Sequence, residues 1–529
     1  MQKMVGEAHP TMTHLCVPIF VDSLAQAQRD AALAAEAGAD MIEFRVDRFA
    51  DPAQIPGIVR RSNLPCIVTC RSPDEGGLVE RSDAERIAAL NAAVGANPAY
   101  IDIEWETYRT ARTPLTVEGR LILSSHDFAG RPDRLYNILA DLNASPADVA
   151  KIVWTARTIR DNSEAFEILL HRQKPTIALC MGEAGIISRI LAKKFGAFLT
   201  FASLSKEAET APGQVSIDDM KRLYRWDAIG AQTKVYGVVG SPVMHSMSPA
   251  IHNAAFERVG HDGVYLPMLV NEGYESFKAF METFLGFAPL HLSGLSVTIP
   301  HKENALRYLA EKGGQIDPLA QSIGALNTIV IERGLKSQIA SLGGFSTDYA
   351  AILDSITSKL NITREELKNY RVAVLGAGGT GRTAVAALAH YGATVVIYNR
   401  TKARAEALAA EFDGHTGKVV AAPFEKLCDS CCQIFINTTS VGMHPNVDAS
   451  PIDGQAVKFT PDMLVFDAIY NPTTTRLLQT AQAAGAKTIG GVEMFVRQAA
   501  GQFEAWTDKT APLDLMRAVV EARLQRANA

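Results

Sequence analysis

The sequence predicts an α/β chain in two parts, a (β/α)8 barrel followed by a doubly wound α/β unit. Three observations carry that prediction. Eight strand-sized apolar runs alternate with helical patterns over roughly the first 220 residues, the span of a (β/α)8 barrel. The series closes near WDAIGAQTK (226–234), and a new strand pattern, KVYGVVG, opens after it. Further on, GAGGTG (376–381) stands between an apolar strand pattern and an amphipathic helix.

Composition sets the limits. The chain has 529 residues, 47% hydrophobic and 21% charged, in the ordinary range for a globular protein. At roughly 100–200 residues per domain, it holds about two to four domains. A net charge of −5 argues against a broad basic surface for nucleic acid or anionic membrane. No apolar run approaches the roughly 18 residues of a membrane span. The leading MQKMVGEAHPTMTH has neither the apolar core of a signal peptide nor Arg- and Ser-rich transit character, so a cytoplasmic location is expected. The seven cysteines are odd in number and mostly within apolar runs, which predicts reduced thiols. Cys428, Cys431 and Cys432 cluster, but no second pair stands at zinc spacing, so no metal is expected.

The barrel elements follow in order. The strand patterns are LCVPIF (15–20), MIEFRV (41–46), CIVTC (66–70), YIDIEW (100–105), LILSSH (121–126), KIVWT (151–155), TIALCM (176–181) and FLTFAS (198–203). Between the first two lies AQAQRDAALAAEAGAD, an Ala-rich helix ended by Gly38; DAERIAALNAAVG and EAFEILLHRQ are helical connections further on. Near-continuous apolar strands between helices imply parallel strands covered on their outer face. Such barrels gather their chemistry at the C-terminal ends of the strands. Those ends offer Glu43, Arg45 and Asp47, then Arg71 and Glu75, His126 and Asp127, Arg189 in GIISR and Gln214 in TAPGQ. Lys151 stands apart: it opens the sixth run, and by position alone it reads as a snorkelling or bottom-face lysine.

The series EFRVD, CRSPDEGG, SSHDF, KIVWTA, GIISR and TAPGQ resembles type I 3-dehydroquinate dehydratase over residues 13–228. The resemblance implies that Lys151 is a Schiff-base lysine reaching the barrel centre, with His126 as general acid/base and Glu75 orienting it. It implies that Arg189 and Gln214 bind substrate and that Glu43, Arg45 and Arg71 line the site. Where the family often has Ser before APGQ, this chain has Thr210, which keeps the hydroxyl. The residue types suit the elimination of water from a β-hydroxyketone. An amine makes an iminium, an electron sink that acidifies the neighbouring C–H. A histidine titrating near neutrality moves the proton, and a guanidinium grips a carboxylate with two parallel bonds.

In the second half, GVYLPMLV, LSGLSVTIP and ALNTIVIERG continue strand-like. RVAVLGAGGTGRTAVAALAHYGATVVIY then reads strand, glycine loop, helix, Gly392 stop, strand. Gly376, Gly378 and Gly381 fit G-x-G-x-x-G in the context that makes it a dinucleotide-binding (Rossmann) motif, with Ala377 and Gly379 completing the loop. The strand TVVIY ends in YNRTKAR (398–404), where an NAD enzyme would offer an acid to the ribose. Asn399, Arg400, Thr401 and Arg404 instead offer charge and hydrogen bonds to a 2′-phosphate, so NADP(H) is expected over NAD(H). Cations at a helix N-terminus oppose its dipole, and a merely solvated turn leaves their placement unexplained.

The flanking GSPVMHSMSP (240–249), SVTIPHK (296–302), GALNT (324–328), STD (346–348), INTTSVGM (436–443) and FVRQAA (495–500) resemble shikimate dehydrogenase over residues 234–528. The resemblance implies that Ser246 and Ser248 hold a substrate carboxylate and that Lys302 and Asp348 are the catalytic pair. It places Thr298, Asn327 and Gln498 on ring hydroxyls, Tyr470 near the carboxylate and nicotinamide, and Thr438 at the cofactor. Ser296 and Ser346 stand where many members have Asn. His245 and His301, beside these motifs, are expected to be supporting rather than catalytic.

The expected organisation is a barrel at 13–228, a substrate-binding domain at 234–345 joined by a C-terminal helix at 511–528, and a Rossmann domain at 346–510. The first activity's product is the second's substrate, so the two resemblances together imply one bifunctional enzyme acting on small carboxylates. Two other readings stand beside it. Quinate would need a smaller residue at the Ser246/Ser248 pair, and a regulatory sensor of pathway intermediates would have lost Lys151, His126, Lys302 or Asp348.

Overall fold

The computed structural model describes residues 12–117, 119–205, 208, 210–334, 339–414, 416–427 and 431–528. They form two compact units. One extends to Met244 and takes in Asp262–Leu292; the other comprises His245–His261 and the chain from Ser293 onward.

The first unit is built on eight parallel strands. They are β1 (His14–Phe20), β2 (Met41–Arg45), β3 (Cys66–Thr69), β4 (Tyr100–Glu104), β5 (Leu121–Asp127), β6 (Val149–Thr155), β7 (Thr176–Met181) and β8 (Leu199–Phe201). Each pairs with the next from β1 to β7, and β8 returns to β1. The β7–β8 seam is joined by the Phe198 N–H donating to Thr176 O at 2.8 Å. β8 is shorter than the FLTFAS run because Ser203 leaves the barrel to pair with the returning segment at Val215–Ser216.

Side chains alternate with a period of two along each strand, so the barrel interior fills in layers. Met41, Ile67, Ile122, Val149, Ile177 and Leu199 belong to one apolar cluster. Two residues further along the same strands come Glu43, Thr69, Ser124, Lys151, Leu179 and Phe201, with Asp102 from β4. The apolar layer leaves no polar partner on its side, so Lys151 turns toward the polar one. It is therefore not a bottom-face lysine. The strand begins two residues before it, its side chain is 4% exposed, and its amine meets the carboxylates of β2 and β4.

The same unit carries the strands Lys234–Gly240 and Gly263–Leu269, paired in parallel register. Their approach is pinned to the barrel. Lys194 Nζ donates to Ala231 O (2.7 Å) and Thr233 O (2.9 Å), and Arg225 donates to Gly263 O. Phe195 stacks on Phe166 at 4.1 Å and lies 5.9 Å from Phe287. Burial pulls the Lys194 ammonium down to about 8, with Asp262 opposing.

In the second unit, Thr328–Arg333 runs antiparallel to both Leu292–Val297 and Ile339–Phe345. A separate six-stranded parallel sheet follows. Its strands are Arg371–Leu375, Thr394–Tyr398, Val419–Ala422, Ile434–Asn437, Leu464–Asp467 and Lys487–Ile489, in the doubly wound order third, second, first, fourth, fifth, sixth. One face buries Val372, Val374, Val395, Ile397, Ile434 and Ile436; the other buries Ala373, Leu375, Val396, Tyr398 and Phe435. Two covered faces explain why these strands read as continuous apolar runs rather than alternating ones. The final helix, Leu513–Asn528, packs on helices Ser248–Arg258 and Gly491–Thr507. Among the described residues, no helix is long and apolar enough to cross a membrane.

Candidate active sites

One cavity at the C-terminal end of the barrel collects Glu43, Arg45, Arg71, Glu75, His126, Lys151, Arg189, Thr210 and Gln214, with Phe128 and Phe201. Seven of these nine polar residues come from strands or the loops that follow them. Glu75 closes the 3-10 turn Pro73–Glu75 after β3, and Arg189 lies on the short helix Ile186–Ile190 after β7 rather than at a strand end. Lys151 Nζ donates to Asp102 Oδ2 at 2.8 Å, lies 3.7 Å from Glu43 Oε1 and sits over the Phe201 ring. Thr210 and Gln214 bond each other, the Gln214 amide donating to Thr210 Oγ1 at 3.0 Å.

Two of the arginines spend their forks on protein groups. Arg45 donates to both Asp47 oxygens and to Gly76 O. Arg71 reaches Asp102 (3.0 Å), Glu104 (3.1 Å) and Ser124 Oγ (2.7 Å). Burial alone would raise the Asp102 carboxyl; Arg71 and Lys151 reverse this and hold it at about 2. Asp102, Glu104, Ser124 and Phe201 escaped the reading of strand ends. The signal for the two acids was present in YIDIEW, where they alternate with two isoleucines inside a strand that must be buried on both faces.

His126 is braced by Glu75, whose Oε2 lies 2.8 Å from Nδ1 and accepts the His126 backbone N–H at 2.9 Å. Burial lifts the Glu75 carboxyl to about 8, and burial together with Arg71 and Lys151 pushes His126 well below the ordinary imidazole value. Both shifts favour a pair that is neutral overall and holds one proton between its members below about pH 8.

In the second unit, Lys302 opens helix Lys302–Glu311, and its Nζ donates to Asp348 Oδ2 at 2.6 Å. Asp348 sits in the first turn of helix Thr347–Leu360. Asn327 fixes that turn: its Oδ1 accepts the Thr347 N–H at 2.8 Å and its amide donates to Thr347 Oγ1 at 3.0 Å. Gln502 ties helix Gly491–Thr507 to the same place, donating to Asn327 O and accepting from Ser296 Oγ at 2.8 Å. Ser296 thus serves the neighbouring helix. Gln498, one turn earlier on that helix, donates to Phe495 O, and Tyr470 stacks on Phe495 at 5.4 Å. Ser246 Oγ accepts the Ser248 N–H at 3.2 Å where helix Ser248–Arg258 begins. The Thr298 carbonyl accepts the His301 N–H, and the buried His301 meets Asn304.

The glycine loop keeps the geometry its spacing predicts. Gly376 has φ +108°, and a Cβ on Gly381 would stand 2.4 Å from Gly376 O, so both positions exclude side chains. A Cβ on Gly378 or Gly379 would meet nothing, leaving space before helix Gly379–His390. Thr438 Oγ1 donates to Leu375 O beside the loop. Asn399 accepts the Ala377 N–H and donates to Thr401 O, so it ties the loop to the basic segment rather than pointing away from both. Thr401 occupies the N-cap of helix Lys402–Phe412 without capping it through its side chain. Lys402 pairs with Glu406, while Arg400 and Arg404 are exposed and have no acidic partner among the described residues. Uncapped N–H groups beside two unpaired guanidiniums fit a phosphate.

Cys428 lies outside the described residues, and among those described no group of three metal-binding side chains occurs.

Models of known families match successive parts of the chain. A family model for type I 3-dehydroquinase matches residues 15–231. Models for the shikimate dehydrogenase substrate binding domain, shikimate/quinate 5-dehydrogenase and the shikimate 5'-dehydrogenase C-terminal domain match 238–329, 358–466 and 491–521. The chloroplastic bifunctional 3-dehydroquinate dehydratase/shikimate dehydrogenase of Arabidopsis thaliana is 37% identical over 521 residues, covering 95% of this chain and 83% of its own. The NADP(+) shikimate dehydrogenase of Methanosarcina barkeri is 39% identical over 298 residues, 55% of this chain and 99% of its own. The solved dehydroquinate dehydratase and shikimate dehydrogenase from S. pombe aligns with 97% of this chain and 98% of its own, at 25% identity and a TM-score of 0.44.

Proposed function

The chain belongs to the bifunctional 3-dehydroquinate dehydratase/shikimate dehydrogenase family, and from that premise we propose that it dehydrates 3-dehydroquinate and reduces the 3-dehydroshikimate formed to shikimate with NADPH. The observation that carries this is a complete pair of sites on one chain. A buried amine and a carboxylate-braced histidine share the barrel cavity, and a lysine–aspartate pair stands in the unit that holds the glycine loop. Purified protein given 3-dehydroquinate and NADPH tests it directly, with the product identified by mass spectrometry; shikimate is expected. We assign the barrel to 13–228, the substrate-binding domain to 234–345 with 511–528, and the Rossmann domain to 346–510. Cytoplasmic placement is also our reading, supported by the burial of most of the described cysteines as thiols, as in reducing compartments.

In the barrel, Lys151 Nζ bonds to the substrate ketone carbon and the carbonyl oxygen leaves as water. His126 takes the proton beside the resulting iminium, the electron pair forms the double bond, and the hydroxyl leaves with a proton from His126. Water then hydrolyses the imine and frees the amine. Arg189 and Gln214 hold the substrate. Arg45 and Arg71 brace Gly76 O, Asp102 and Glu104, and act on the substrate largely through them.

The dyad sets the pH response. With Glu75 protonated, its hydrogen lies toward Nδ1 and the imidazole keeps its own on Nε2. With Glu75 ionised, Nδ1 carries the hydrogen and Nε2 is the base. Dehydration is therefore expected to rise with pH through about 8 and level above it. Glu75→Gln accepts from Nδ1 without titrating, so its pH–kcat profile should lose that limb. An unchanged limb would assign the titration elsewhere.

In the second unit, bound NADPH supplies the hydride. Lys302 gives a proton to the new alkoxide oxygen and stabilises its charge, while Asp348 orients the amine. Ser246 and Ser248 hold the carboxylate, with Thr298, Asn327, Tyr470 and Gln498 around the ring. Arg400, just before the N-cap Thr401, and Arg404, in the first turn of the helix, would hold the 2′-phosphate. Arg400→Ala should lower the NADPH/NADH ratio of kcat/KM by about tenfold or more, the loss of one or two charge-assisted bonds. An unchanged ratio would sink the charge argument. The quinate and sensor readings are not favoured, because the serine pair and all four catalytic groups are in place.

A further inference from the structure

We propose that Arg86, which does not line the cavity, is the positioning residue on which both arms of the dehydratase site depend. The role rests on the dehydratase activity proposed for the barrel. Behind Lys151 runs a continuous chain of ion pairs with alternating sign. Lys151 meets Asp102 at 2.8 Å, Asp102 meets Arg71 at 3.0 Å, and Arg71 meets Glu104 at 3.1 Å. Glu104 meets Arg86 at 2.6 Å, and Arg86 meets Asp83 at 2.7 Å. Every side chain from Lys151 to Arg86 is at most 4% exposed, and only Asp83, at 52%, reaches solvent.

The chain is not a proton wire, because guanidinium groups do not give up protons. Lys151 must exchange its proton on the cavity side. What the chain does is hold position. Each buried charge is fixed by neighbours of opposite sign, and removing one member leaves a charge that is costly in the interior and moves to find another partner. Arg71 holds Asp102, and Asp102 holds the amine. The outermost buried member, Arg86, holds Glu104 in the place from which it holds Arg71.

The second arm passes through the backbone. Arg86 also donates to Cys70 O at 2.9 Å, and Glu104 Oε1 accepts the Ser72 N–H at 2.9 Å. Those two bonds bracket Arg71 and direct the chain into Pro73–Glu75, where Glu75 braces His126. One guanidinium therefore sets both the approach of the amine and the seat of the imidazole. In DAERIAALNAAV an arginine at this position reads as a solvated helix charge, yet its side chain is 1% exposed. That burial is what the sequence pattern hides.

The bifunctional chain supplies its own control. In full-length Arg86→Met, kcat for 3-dehydroquinate dehydration should fall about a hundredfold, the effect of misplacing reacting groups by about 1 Å. KM should change by less than about threefold, because ground-state contacts in the cavity remain. The pH limb near 8 assigned to Glu75 should move, and shikimate dehydrogenase activity of the same protein should be unchanged. Arg86→Lys, which keeps one charge but not the fork, should recover about tenfold. A kcat within about twofold of wild type, or an equal fall in both activities, would overturn the proposal. If Arg86→Met does not fold, Glu104→Gln decides: it keeps the shape and removes the charge, and a wild-type kcat in it would equally overturn the proposal. Wild-type protein that fails to dehydrate 3-dehydroquinate would overturn the dehydratase assignment and the role of Arg86 with it, a result distinct from an active wild type with an active Arg86→Met.

Discussion

Lys151→Ala is expected to lower dehydration of 3-dehydroquinate by about 10⁴-fold or more, the scale seen when a covalent nucleophile is lost. Among the described residues lining the cavity, Lys151 is the only primary amine, so no neighbour can take over imine formation. Sodium borohydride with 3-dehydroquinate should fix a covalent adduct on Lys151 in the wild type and none in the variant, read by peptide mass. Removing one member of a buried ion pair costs about 3–5 kcal/mol where the other is left unpaired. Here Asp102 keeps Arg71 at 3.0 Å and Ser124 at 2.7 Å, so the stability loss should be smaller than that. Reduction of 3-dehydroshikimate by the same protein should continue. Undiminished dehydration would refute the nucleophile assignment.

Lys302→Ala should do the reverse. Loss of a positioned general acid costs about 10²–10⁴-fold. Shikimate oxidation with NADP+ should fall by that much, with dehydration untouched. The fold should hardly notice, because the Lys302 side chain is 35% exposed and Asp348 16%. Ion pairs with that access to solvent contribute about 0–1 kcal/mol. The rate loss thus greatly exceeds any stability loss, which separates chemistry from folding. Equal loss of both activities would point to a folding defect instead.

The architecture was legible because its signals are local. Strand-sized apolar runs, helical connections and one glycine loop in its strand–helix context were enough for a barrel and a doubly wound sheet. The sites were legible only in part. Glu43, His126 and Gln214 stand near strand ends, where chain direction alone selects them. Lys151 does not, and only the layering of Val149, Lys151 and Val153 along β6 shows which way it faces. Asp102 and Glu104 were visible as acids in an apolar strand, but Arg71 stands 31 residues before its partner Asp102 and Arg86 stands 18 before its partner Glu104, and spacing carries no record of such pairs. Asn399 was read as a phosphate ligand from its residue type; its bonds to Ala377 and Thr401 are a property of the folded loop.

The pinned approach to the strand Lys234–Gly240 bears on how such a chain can be cut and recombined. Motif boundaries invite a cut between 228 and 234, as though two enzymes were strung on a tether. A cut there would part Lys194 from the carbonyls of Ala231 and Thr233, and Phe195 from Phe287. Each fragment would then present to water a surface that the intact chain keeps dry. The strand pair Lys234–Gly240 and Gly263–Leu269 therefore belongs with the barrel's unit, and a barrel transplanted without it must have that surface redesigned.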